Sequence, residues 1–127
     1  MRLLLDTHIF LWYIAAHKSL SAETRALIRD PDNRVFLSPV SVWEALVKNR
    51  LGKLPLPEQP HSYLPRQRVR HGIESLNLDE ASVRHLASLP NHHRDPFDRM
   101  LICQALAHEM TLVTVDDIIP LYPIDTL

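Results

Sequence analysis

The chain has 127 residues, enough for one domain with its own apolar core: 46% are hydrophobic and 23% charged. Fourteen basic residues face fifteen acids, a formal net charge of −1, so composition gives no sign of a nucleic-acid binder. Two glycines, Gly52 and Gly72, are too few and too far apart for a dinucleotide fingerprint, a Walker loop or a nucleophile elbow. One cysteine, Cys103, excludes disulfide frameworks and thiolate zinc sites, and suits a reducing, cytoplasmic setting. No apolar run approaches the roughly 20 residues of a membrane span, and Asp6 and His8 interrupt the N-terminal run before a secretory leader could form.

In chain order, Leu3 to Leu5 reads as a strand buried on both faces. Ile9 to Ala16 reads as a helix apolar all round, whose second face is expected to be covered by another chain. Ser21 caps a helix over 21–30 with Ala22, Ala26 and Leu27 inward. A second strand, Arg34 to Leu37, leads into a helix with Ser38 as N-cap and Pro39 at its first position. Its predicted buried stripe is Val40, Trp43, Val47 and Leu51, with Gly52 as the stop.

Four prolines predict extended or looped chain over 53–65, followed by a short basic helix at 66–71. Ile73 to Leu78 is the third predicted strand. Asp79 caps a helix to about Leu89, and Asp95-Pro96 opens another over 97–109. Leu112 to Val115 is a fourth strand, and Leu121 to Ile124 is a candidate fifth. Strands alternating with helices, without a hairpin signal, predict a three-layer α/β/α domain on a central parallel sheet of four to five strands.

Ligands of open parallel sheets bind outside the carboxyl ends of the strands. Asp6, Glu44, Asp95, Asp98, Asp116 and Asp117 all fall at that edge, with no evident cation to pair them. Two carboxylates about 4 Å apart repel by roughly 4 kcal/mol at an effective dielectric near 20. The cluster therefore needs protons or a cation. An all-oxygen donor set favours Mg²⁺ or Mn²⁺ over zinc, and such an ion bound beside a phosphodiester supports hydrolysis. Individually the acids have plainer readings: Asp95 suits an N-cap, Asp98 suits the helix dipole, and Asp116 or Asp117 suits a turn. Asp6 has no such task in the sequence pattern. His92-His93 reads as surface or ring-hydrogen-bonding residues, Cys103 as a core thiol, and Trp43 as core. Arg66, Arg68, Arg70 and His71 form a basic run that fits a solvated face or a phosphate track equally, and only three of the fourteen basic residues are lysines.

Four segments together carry a resemblance: Leu-Leu-Asp6-Thr-His, Ser38-Pro-Val-Ser-Val-Trp-Glu44, His-His-Arg-Asp95-Pro-Phe-Asp98-Arg-Met, and Leu-Val-Thr114-Val-Asp116. In these the chain resembles PIN-domain ribonucleases, specifically the VapC toxins of bacterial VapBC toxin–antitoxin pairs. The resemblance spans essentially the whole chain, as one PIN domain over 1–127. It implies a metal-dependent endoribonuclease that arrests translation, a cognate VapB-like antitoxin, and a homodimer. By that resemblance Asp6, Glu44, Asp98 and Asp116 match the acidic quartet, with Asp6 and Asp98 the principal Mg²⁺ ligands. Thr7 and Thr114 match supporting hydroxyls and Asp95 a supporting acid. The doublet Asp116-Asp117 after Val115 departs from the pattern; the Thr-x-Asp spacing selects Asp116, and Asp117 is kept as a supporting candidate. Arg66, Arg68, Arg70, Arg94 and Arg99 are the candidate RNA contacts. A receiver or dehalogenase-type phosphatase is disfavoured because no lysine follows Lys53. The competing reading is a PIN-like scaffold that binds RNA or protein without catalysis.

Overall fold

The computed structural model describes all residues, 1–127. Four strands, β1 (Arg2–Leu5), β2 (Arg34–Leu37), β3 (Glu74–Ser75) and β4 (Thr111–Val113), form one sheet in the order β3-β2-β1-β4, every pair parallel. Six α-helices flank it: α1 (Thr7–Ile14), α2 (Ala22–Arg29), α3 (Pro39–Arg50), α4 (Pro60–Arg70), α5 (Glu80–Arg84) and α6 (Pro96–His108). None is long and apolar enough to cross a membrane.

Side chains alternate across a strand, so β1 feeds both faces of the sheet. Leu3 and Leu5 enter a core with Ile9 and Phe10 of α1, Ile28 of α2 and Leu64 of α4. Leu4 enters the opposite core with Phe36, Leu101, Ile102 and Leu112. The three leucines have no exposed surface, which is why the strand reads as an unbroken apolar run.

The chain moves from β1 through β2 to β3 on one side, then returns to place β4 on the other side of β1. The switch point therefore lies between β1 and β4, where open α/β sheets place ligands. Leu5 is in register with Val113, and the Asp6 amide donates to the Val113 carbonyl at 2.9 Å. This register sets Asp6 beside Thr114.

Several expectations are corrected. α1 begins at Thr7 rather than Ile9, because the Asp6 carboxylate accepts the Thr7 amide and caps it. Ile9, Phe10, Leu11 and Tyr13 are buried within this one chain, so α1 needs no second chain to cover most of its apolar surface. In α2 the inward residues are Leu27 and Ile28, while Ala22 and Ala26 are exposed.

The predicted stripe of α3 is turned outward. Only Val40 is buried, whereas Trp43 and Leu51 are more than half exposed. The inward face is instead Ser41, Glu44 and Ala45, because the polar members are used by the site. α4 starts at Pro60, a position that tolerates proline, and continues through Pro65, whose missing amide is offset by burial of Leu64. β3 is only two residues long. The fifth strand does not form at Leu121 to Ile124, where a 3₁₀ turn (Ile119–Leu121) leads out. Parallel pairing with β4 comes later, through Asp125, Thr126 and Leu127.

Candidate metal centre at the carboxyl edge of the sheet

Four local signals deliver the acids. Asp6 ends β1 and caps α1. Ser38 caps α3 through the Val40 amide, with Pro39 first in the helix, which turns Glu44 inward in the second turn at 2% exposure. Asp95 caps α6 by accepting the amides of Phe97 (2.8 Å) and Asp98 (3.4 Å), and Asp98 follows in the first turn. Asp116 lies just beyond β4.

Carboxylate oxygens of Glu44, Asp95 and Asp98 lie within 4.8 Å of one another. So do those of Asp98 and Asp116 with a ring nitrogen of His93. Asp98 belongs to both groups and is the geometric centre of the site. Its carboxyl is pushed up to about 7, first by burial and then by the charges of Asp6, Asp95 and Glu44. Without a cation, this cluster holds a proton near neutrality.

The other acids are held by hydrogen bonds. Thr114 Oγ1 donates to Asp6 Oδ2 at 2.7 Å and accepts the Asp116 amide at 3.0 Å, so one hydroxyl ties two acid-bearing segments. Burial raises the Asp6 carboxyl above its usual range, partly offset by the donors Thr114 and Thr7. The Thr7 hydroxyl donates to Glu44 Oε1 at 2.6 Å and lies 2.9 Å from Ser41 Oγ. Lys48 is ion-paired with Glu44 Oε2 one turn along α3.

Asp116 is opposed by its partial burial. The hydrogen bonds from His93 and the Ile118 amide outweigh that and hold its carboxyl below the usual range. The donor set is dominated by carboxylate oxygens with no sulfur, which fits a hard divalent cation. Glu44, Asp95, Asp98 and Asp116 are placed to hold it.

The structure thus brings together Asp6, Thr7, Glu44, Asp95, Asp98, Thr114 and Asp116. Asp117 is exposed, which distinguishes it from its neighbour. Asp6 is a cap as well as a candidate ligand, a task the sequence pattern did not disclose. Asp95 performs the capping task it suggested, while remaining within the cluster.

The basic candidates divide. Arg66 pairs with Glu58 on the surface, Arg68 donates to the Ile73 carbonyl, and Arg99 donates to the carbonyls of Pro90 and His93. Arg70 and Arg94 are exposed. Three site residues were missed: Lys48, which corrects the expectation of an unpaired cluster and is signalled by its i+4 spacing from Glu44; Ser41; and His93, whose side chain is only 7% exposed. Trp43, expected in the core, instead packs edge-on against Phe97 at the surface, ring centroids 4.7 Å apart.

A four-stranded parallel sheet with acids converging at its switch point defines an α/β domain whose carboxyl edge carries a cluster that could hold a cation. A model of the PIN domain family matches residues 3–123, and the chain belongs to that family. Ribonuclease VapC16 of Mycobacterium tuberculosis is 44% identical over 63 residues, 50% of this chain and 45% of that relative; the match therefore spans less than half of the relative. Among solved structures, VapBC2 of Rickettsia felis, bound to a DNA fragment from its promoter, superposes with a TM-score of 0.74 at 19% identity, covering 100% of this chain and 98% of that one. VapBC-1 of nontypeable Haemophilus influenzae gives 0.64 at 20% identity, covering 100% and 97%. FitAcB of Neisseria gonorrhoeae gives 0.64 at 16% identity, covering 98% and 96%. At these identities the structural likeness carries the fold.

Proposed function

We propose that this chain is a metal-dependent endoribonuclease of the toxin type, which cuts RNA phosphodiester bonds to inhibit translation and is neutralised by a cognate VapB-like antitoxin. The observation that carries the reading is Asp98, shared by two ligand clusters and holding its proton to about pH 7. Such a group is poised to exchange a proton for a cation. The ion we assign is Mg²⁺, with Mn²⁺ as a substitute, held by Asp98, Glu44 and Asp116 with Asp6 alongside and Asp95 in support. When bound, it would lower the pKa of a water and neutralise charge on the scissile phosphate.

The chain's own residues keep the site in shape. Thr114 fixes the spacing of Asp6 from the Asp116 backbone. Thr7 and Lys48 hold the two oxygens of Glu44, so its carboxylate keeps one orientation. The ribonuclease name of the relative supports RNA as substrate, and the VapBC neighbours support an antitoxin partner. Arg94, exposed beside Asp95 where the chain enters α6, is the basic candidate adjacent to the site, whereas Arg70 ends α4 at the opposite, amino edge of the sheet.

A homodimer belongs to the same proposal. Trp43, Val47 and Leu51 form an exposed apolar stripe at four-residue spacing along α3, the face a second copy would cover in place of the expected α1. We place the protein in the cytoplasm, where its free, buried Cys103 stays reduced. Incubation of RNA with the purified protein and Mg²⁺, against EDTA, tests the reading. Cleavage lost on chelation supports it, and binding of RNA without any cleavage supports the inert scaffold instead.

A further inference from the structure

The loop between α5 and α6 carries a histidine that the acidic quartet does not account for. His93 is nearly buried, and its Nε2 lies 3.0 Å from Asp116 Oδ2. Behind it stands Tyr122, 3% exposed, on the C-terminal segment. The Tyr122 hydroxyl accepts the backbone amides of His92 (3.0 Å) and His93 (2.8 Å).

A phenol oxygen has two lone pairs and one proton. Both lone pairs are engaged by amides, so the proton is left to donate. The acceptor beside it is His93 Nδ1, at 3.4 Å, with the two rings nearly parallel. Nδ1 as acceptor puts the ring proton of the neutral imidazole on Nε2, facing Asp116. A one-way chain results: Tyr122 O–H to His93 Nδ1, then His93 Nε2–H to Asp116 Oδ2. The Ile118 amide holds the other oxygen of Asp116 at 2.8 Å.

The geometry points to His93 as a positioning residue that aims the Asp116 carboxylate at the cation site, with Tyr122 setting its tautomer. The inference rests on the metal-site reading above. Asp116 follows a three-residue strand and sits in irregular chain, so nothing in regular structure orients its side chain. Donors behind a ligand carboxylate raise metal affinity by about 10–100-fold. His93 also joins its own loop to the chain after β4 through Asp116, and Arg99 of α6 braces that loop by donating to the carbonyls of Pro90 and His93. His92, next in sequence, is exposed and packs edge-on against Tyr122, so the two neighbouring histidines have different work.

The test uses the full-length protein and Mn²⁺ or Mg²⁺ alone, titrated by calorimetry. His93→Phe keeps a ring and removes the donor; His93→Gln returns an N–H near the position of Nε2. We expect H93F to bind the ion about tenfold more weakly, and H93Q to recover to within about threefold of the parent. Equal affinity of H93F and the parent would overturn the inference, as would H93Q binding as weakly as H93F, since packing and not the hydrogen bond would then matter. Pulsed electron paramagnetic resonance of bound Mn²⁺ separates positioning from ligation: no directly bound nitrogen is expected, and a coordinated imidazole nitrogen would contradict a positioning role. A parent that binds the ion but cleaves no RNA would remove the nuclease reading, while the ratio of affinities would still decide the role of His93.

Discussion

Asn at position 98 has nearly the shape of the protonated acid and cannot ionise. The Asp98 carboxyl lies at about 7 in the folded chain, against 3.8 for a free side chain. Between those two values the folded state holds a proton that the unfolded state has lost. Stability contributed through this group therefore falls as pH rises from about 4 to about 7. The shift of roughly three units would be worth about 4 kcal/mol at about 1.4 kcal/mol per unit. Asp98 still reaches solvent, and screening reduces this to about 2 kcal/mol. Asp98→Asn in EDTA at pH 8 should thus be more stable than the parent by about 2 kcal/mol, a melting temperature higher by roughly 8 °C for a domain of this size. At pH 5 the gap should shrink to about 0.8 kcal/mol, because only the part of the titration between 3.8 and 5 has then been lost. Mg²⁺ should reverse the order, because a ligand at 100 times its Kd stabilises the parent by about 2.7 kcal/mol and finds little purchase on the variant. Thermal melts at pH 5 and 8, with Mg²⁺ and with EDTA, provide the measurement. A variant no more stable than the parent at pH 8 in EDTA would refute the reasoning, because burial and the neighbouring acids would then not penalise the charged Asp98 carboxylate.

Thr114→Val removes the hydroxyl shared by Asp6 and the Asp116 amide; urea melts should show a loss of about 1–2 kcal/mol, and calorimetry a weaker divalent site. Val47→Asp puts a charge on the exposed stripe of α3, so light scattering should find a dimer for the parent and a folded monomer for the variant; a parent monomeric at all concentrations would remove the dimer proposal. The Cys103 thiol is buried, and burial pushes its pKa up, so a disulfide exchange reagent should label it only in the unfolded chain. Leu4→Ala, in contact with β2, β4 and α6, should cost about 2–5 kcal/mol in denaturant melts.

The alternation of elements and the strand-end acids were legible in the sequence because both depend on short, local signals. The apolar run Leu3 to Leu5 and the Ser38-Pro39 opening each place one acid, and the Asp95-Pro96 opening places two, without knowledge of the rest. Periodicity failed on α3. A rule that turns the apolar stripe inward has no means of knowing that Ser41, Glu44 and Lys48 are claimed by a polar site. Proline misled at α4, where the first helical position tolerates Pro60 and burial of Leu64 outweighs the amide lost at Pro65. Tertiary partners were out of reach altogether. His93 becomes part of the site only because the C-terminal segment brings Tyr122 behind it and Asp116 in front of it, from 29 and 23 residues away. The pairing of Lys48 with Glu44 lay within reach of the i+4 spacing, but a lysine in the last turn of a helix is equally accounted for by the helix dipole.

The most direct test of the account is the appearance of new ends in a single-stranded RNA incubated with the purified protein. With Mg²⁺ the parent should cut, EDTA should stop it, and Asp98→Asn should remain folded yet leave the RNA intact. Cleavage that persists undiminished in EDTA or in the folded Asp98→Asn variant would contradict a cation-dependent site centred on Asp98.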